Sequence, residues 1–144
     1  MDAFNSFAIS AAGLTVEKLR LETAALNLAN ADSTAPAGTT PYQAQTVVSR
    51  PGPGFESFWT QGGAGEPGEA VLATLQPRAS TPHLVYDPAH PHADANGFVA
   101  HANVDSLSEM MTILRATRAY EANIKAINAA KAMSQQALEI GNSK

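Results

Sequence analysis

SLSEMMTILRATRAYEANIKAINAAKAMSQQALEI, Ser106 to Ile140, is the stretch that decides the architecture. No proline interrupts it. Steps of three and four residues pick out Met110, Ile113, Thr117, Tyr120, Ile124, Ile127, Lys131, Ser134 and Leu138, the spacing of one helical face. A neighbouring stripe, Ala116, Ala119, Asn123, Ala126, Ala130, Met133, Ala137 and Ile140, is dominated by small residues that admit another backbone at close range. Ser106 and Glu109 fit a capping box, and Gly141 stands where a helix ends. At 1.5 Å per residue this helix runs roughly 50 Å. One small domain cannot cover such a rod on all sides.

The opposite end repeats the pattern. Phe4, Phe7, Ala11, Leu14, Lys18, Leu21, Ala25 and Leu28 form one register, and Ile9, Ala12, Val16, Leu19, Thr23 and Leu26 a second on a different face. Two apolar faces need two partners. Gly13 costs about 1 kcal/mol relative to alanine within a helix. The helix is expected to stop between Asn27 and Asp32, with asparagine in a left-handed cap. Because alanine-rich helices gain little from burying methyl groups, the ends should be weakly ordered alone and fold on assembly.

Between the helices lies a segment holding all nine prolines, from Pro36 to Pro91, which excludes helix over most of it. Short alternating runs at Tyr42–Val48, Ala70–Leu75 and His83–Tyr86 predict a small element of antiparallel β-strands. Pro51 to Gly68, with six glycines and three prolines around Trp59, reads as a long loop. The expected fold is α with a small β element. Residues 1–32 and 104–144 are expected as terminal helices that pair with each other or with a neighbour's termini, and 33–103 as an irregular β middle domain with a flexible loop at 51–68.

A net charge of -4 with 15% charged residues gives no electrostatic reason to bind nucleic acid or anionic lipid. The absence of cysteine excludes a disulfide scaffold and thiolate metal sites. Asp2 stands where a cleavable secretion signal carries a basic residue, and polar residues break every apolar run well short of a membrane span. No cleaved leader and no membrane insertion are expected.

Chemistry has few candidates. Gly63-Ala-Gly-Glu-Pro-Gly68 matches a dinucleotide-binding glycine pattern, yet no strand precedes it, and Glu66 and Pro67 sit where a phosphate needs free N–H groups. Asp87, His90, His92, Asp94 and His101 have ligand chemistry. Pro88 and Pro91 should hold that segment extended and its side chains apart. No nucleophile elbow, zinc-protease helix or phosphate loop occurs. No catalytic residue, cofactor or metal site is assigned.

Three motifs carry a resemblance. LNLANADST, Leu26 to Thr34, resembles the N-terminal signature of flagellar rod and hook proteins. VYDPAHPHADANGFVAHANVD, Val85 to Asp105, and RAYEANIKAINAAKAMSQQALEIG, Arg118 to Gly141, are similar to the two later signatures of the flagellar basal-body rod family, proximal rod, C type. Between them only PYQAQTVV follows the pattern, and Gln43, Ala44 and Gln45 replace the basic residues that usually follow the tyrosine.

The resemblance implies a structural, non-enzymatic rod subunit, with the terminal helices 1–32 and 104–144 paired as an inner coiled-coil domain that stacks between neighbours around an export channel, and a middle domain facing outward. Its partners would be copies of itself, other rod proteins and the flagellar export apparatus, with the basal-body ring as a further candidate. It would reside in the periplasm-spanning rod. Subunit contacts are expected at Phe7, Leu14, Leu21, Leu28, Asn30, Met110, Ile113, Tyr120, Ile124, Ile127, Met133 and Leu138. Asn27 and Asn30 are expected as helix-end and turn formers, with a bond between subunits as the alternative. The competing readings are a rod protein of the B or F type, a metal-binding or hydrolytic domain around His90, and a secreted coiled-coil or needle-type protein.

Overall fold

A computed structural model describes residues 2–51 and 71–142. In chain order these form α1 (Asp2–Ala29), β1 (Thr34–Ala35), β2 (Gln45–Pro51), β3 (Val71–Pro77), β4 (His83–Tyr86), β5 (Phe98–His101) and α2 (Ser106–Asn142). The glycine-rich segment and its Gly63–Gly68 motif lie outside the described residues, apart from Pro51. Both helices and three strands fall where patterning places them. β1 and β5 carry no recognisable alternation, and patterning does not predict them.

Each helix ends differently from expectation. No non-glycine residue described has a positive φ, so neither asparagine adopts a left-handed cap. Instead the Asn30 N–H is shared between the Leu26 and Asn27 carbonyls at 3.2 Å, and Ala31 N–H donates to the Leu28 carbonyl. The last turn of α1 thereby tightens, and Asn30 Nδ2 adds a bond to the Leu26 carbonyl at 2.9 Å. At the start of α2, Asp105 replaces the expected Ser106 cap. Its Oδ1 accepts the Leu107 N–H at 3.2 Å, as an N-cap carboxylate does. Glu109 does not fold back to close a capping box; its carboxylate is engaged elsewhere. The helix also runs through Gly141 to Asn142.

β2 pairs with β3, and a second sheet has the order β1-β5-β4. β4 and β5 are antiparallel, with Leu84 opposite Ala100, Val85 opposite Val99 and Tyr86 opposite Phe98. Alternation along the strands therefore puts Leu84, Tyr86 and Phe98 on one face. Val85 and Val99 lie on the other, and Val99 is fully buried. Residues 87–97 connect the two strands through successive turns. His90 N–H donates to the Asp87 carbonyl, Ala93 N–H to His90 and Gly97 N–H to Asp94. Pro88 and Pro91 thus occupy the second position of tight turns, not the extended chain expected for them.

Gly97 is the residue those turns require. Its φ is +81°, and a Cβ there would lie 2.9 Å from Tyr86 Cε2 and 3.2 Å from Pro88 Cβ. Gly97→Ala is expected to cost about 1–2 kcal/mol from left-handed strain alone, read as a lowered midpoint in thermal unfolding.

The chain divides into two compact units. One comprises Met1–Leu19, Val48–Thr74 and Arg115–Lys144, the other Arg20–Val47 and Leu75–Leu114.

Candidate functional site

The second unit is organised around Asn27, which is fully buried. α1 delivers it, and its side-chain amide meets four partners. Nδ2 donates to the Gln45 carbonyl at 2.8 Å and to Glu109 Oε2 at 3.1 Å. Oδ1 accepts from the Tyr42 hydroxyl at 2.8 Å and from Gln45 N–H at 2.9 Å. Two donors and two lone pairs are the whole capacity of the group, so none of the desolvation cost of burying it is left uncompensated.

Glu109 extends this clasp. Only 2% exposed, its carboxylate also receives Arg78 Nη1 at 3.2 Å through Oε1, while Arg78 N–H donates to the Ala44 carbonyl at 2.7 Å. Residues from α1, the segment entering β2, the segment leaving β3 and the first turn of α2 are thereby tied together. Gln45 contributes only backbone atoms to Asn27, so the departure from basic residues at 43–45 leaves the clasp intact. The Asn27 side chain thus forms neither the end of α1 nor a turn; only its backbone carbonyl takes part in the last turn. Its polarity within an apolar-periodic stretch is the available signal in the sequence. Its partners, up to 82 residues away, leave no such trace.

Burial, and then the Glu109 charge, raises the pKa of the Tyr42 hydroxyl above its ordinary value of 10.0. The fold favours the neutral phenol. Its contribution is therefore complete below pH 10 and is lost as pH climbs from 10 through the raised value. A wild-type unfolding curve should lose midpoint over that alkaline window, and Tyr42→Phe should remove this part of the slope.

In the first unit α1 and α2 approach closely at Gly13. A Cβ at that position would lie 2.9 Å from Asn123 Nδ2, so the glycine that weakens α1 is where the other helix comes near. Besides Ser106, Thr112 and Ala119, the less exposed positions along α2 are Glu109, Ile113, Ala116, Tyr120, Asn123, Ile127, Ala130 and Ser134. They alternate steps of four and three, a seven-residue repeat, and take members from both stripes read in the sequence. Among the described side chains of α1 the buried ones are Val16, Thr23, Ala24 and Asn27, following the second register more than the first.

The twelve expected contact residues separate accordingly. Phe7, Leu14, Leu21, Leu28, Asn30, Ile113, Tyr120 and Ile127 are half-buried, whereas Met110, Ile124, Met133 and Leu138 are exposed. Asn30 spends its amide on the end of α1.

The histidine-rich turns are knit internally. Asp94 Oδ1 accepts N–H bonds from Asn96 and Phe98, and Asp87 Oδ1 accepts one from Ala89. His90 Nδ1 accepts the His92 N–H, and His92 Nδ1 lies 2.9 Å from Thr34 Oγ1. No three metal-ligating side chains converge among the described residues. A recess beside Glu109, lined in part by Arg20, Thr23, Arg78 and Thr112, has a volume of about 90 Å³, well below the few hundred that small-molecule sites occupy. No described helix is long and apolar enough to cross a membrane.

Comparison with known proteins agrees with this picture of a scaffold. Residues 95–140 match the family model for the C-terminal region of flagellar basal body rod FlgEFG proteins. The flagellar basal-body rod protein FlgC of Bacillus subtilis is 39% identical over 98% of this chain and 99% of its own length. The chain belongs to the FlgC family of flagellar rod proteins. FlgC of Salmonella typhimurium is 37% identical over 98% of this chain and 99% of its own, and FlgC of Borreliella burgdorferi 33% over 97% and 98%. As a member of the FlgC family this chain is a structural flagellar rod subunit of the basal body. That reading fits better than the metal-binding domain or the B and F rod types, and the FlgC relatives are structural proteins, not enzymes.

Proposed function

We infer that this chain assembles into the proximal rod by pairing its terminal helices as an antiparallel coiled coil. The outer faces of that pair then pack against neighbouring rod subunits. One observation carries the reading: the two helices meet within each unit, Gly13 against Asn123 in the first and Asn27 against Glu109 in the second. A pair built this way keeps one seam for itself and leaves further apolar positions for others. Met110, Ile124, Met133 and Leu138 are such positions, and with the half-buried Phe7, Leu14, Leu21, Leu28, Ile113, Tyr120 and Ile127 they make up the interface. Partners are further copies and other rod proteins around a hollow, torque-bearing shaft that spans the periplasm. Delivery through the flagellar export apparatus, and contact with the surrounding ring, belong to the same reading.

The test is electron microscopy of basal bodies from a strain deleted for this chain. Export-competent bases lacking a rod are expected, restored by the wild-type chain. Complete rods in the deletion strain would refute the proposal.

A further inference from the structure

Three side chains on one face of the β1-β5-β4 sheet stand out in the second unit. Leu84 is 60%, Tyr86 65% and Phe98 40% exposed. The two rings meet edge to face with centroids 5.4 Å apart, so they form one apolar knob across the outer strand β4 and its neighbour β5, and such a patch marks a contact surface. Its rim is acidic: exposed Asp87 follows Tyr86, and Asp94 lies at the other end of the connecting turns.

We propose that this face is the docking surface for the outward side of α2 on a second copy of the same chain. Charge and shape select that occupant. Beyond residue 114 the described part of α2 carries Arg115, Arg118, Lys125 and Lys131 against Glu121 and Glu139, the opposite sign to the sheet rim. Among its exposed residues, Ala126, Ala129 and Met133 follow one another at steps of three and four. They form a low apolar floor on which aromatic rings can approach the helix backbone, with Arg118 and Lys125 beside it to meet Asp87. Because knob and floor are different surfaces of one chain, the contact is heterologous and repeats without closing on itself, as a helical shaft requires. The inference rests on the rod reading and adds a specific contact to it.

The chain has no cysteine, so introduced thiols report without background. Chains carrying Tyr86→Cys with Ala129→Cys, or Leu84→Cys with Ala126→Cys, replace the wild type, and purified basal bodies are oxidised and separated without reductant. A ladder of dimers and higher multiples is expected from at least one pair, dimers only from mixed single variants, and no product from any single variant alone. Independently, Asp87→Arg should cut incorporation about fivefold, the effect of roughly 1 kcal/mol, and adding Lys125→Glu should restore at least half of it. The proposal is overturned if both pairs stay unlinked in basal bodies that contain the chain, or if the Tyr86→Cys single variant dimerises by itself and accounts for all of the product. It is equally overturned if the product holds a different rod protein, or if Asp87→Arg incorporates normally or is not rescued. Absence of the wild-type chain from basal bodies would overturn the rod reading as well.

Discussion

Asn27→Asp is expected to destabilise the second unit by about 3–5 kcal/mol at pH 7, the range for an uncompensated buried charge. The substitution is nearly isosteric, so packing changes little. What changes is the proton inventory. The amide nitrogen that donates to the Gln45 carbonyl and to Glu109 Oε2 becomes an oxygen with nothing to donate. Two carboxylates then face each other, one at a fully buried position and the other almost fully buried, with Arg78 as the cation bridged to Glu109. Such a pair resists double ionisation, which raises the pKa of the introduced carboxyl. The deficit is therefore full at neutral pH and shrinks as pH falls through that raised value, because the protonated acid regains a donor. Urea unfolding followed by circular dichroism at pH 7 and pH 5 reads both features. Wild-type stability at pH 7 would mean the clasp does not hold the unit together. A deficit unchanged at pH 5 would mean that shape, not charge, is responsible.

The clasp also bears on what a sequence can reveal. Helix extents are legible because proline is absent and apolar residues recur at helical steps over 28 and 37 residues. β2, β3 and β4 are legible as short alternating runs. β5 is not, because Phe98-Val-Ala-His101 lacks polar alternation and becomes a central strand only by pairing on both sides. The seam on α2 is half-legible. Periodicity offers two adjacent stripes of similar apolar content, and under the proposed pairing the repeat of 3.5 residues that selects alternate members of each comes from a partner helix, which no single helix encodes. For Asn27 and Glu109 the sequence suggests local roles, as helix-end former and capping-box acid. Such roles are the default for these residue types at helix termini, and long-range bonding displaces them. Asp105, one residue before the expected cap, is available to take it over.

Ile127→Asp and Ile124→Asp should both abolish swimming, for different reasons that separate the seam from the outer face. Ile127 is half-buried on the seven-residue repeat with Asn123 and Ala130, whereas Ile124 is 39% exposed. Removing a buried isoleucine forfeits roughly 1.5–3 kcal/mol, and a carboxylate forced into the same place adds a desolvation cost. Ile127→Asp should therefore reduce the helical signal of the purified chain and its resistance to unfolding. Ile124→Asp changes a surface residue and should move stability by no more than about 0.5 kcal/mol, leaving the isolated chain intact. Its penalty falls only when a neighbour covers that face and the charge is stranded between subunits. The comparison uses circular dichroism of both variants beside soft-agar motility and immunoblots of purified basal bodies. An Ile124→Asp strain that swims and incorporates normally would remove this part of α2 from the subunit interface. Equal loss of helicity in both variants would instead place Ile124 within the chain's own core, leaving the outer contacts to Met110, Met133 and Leu138.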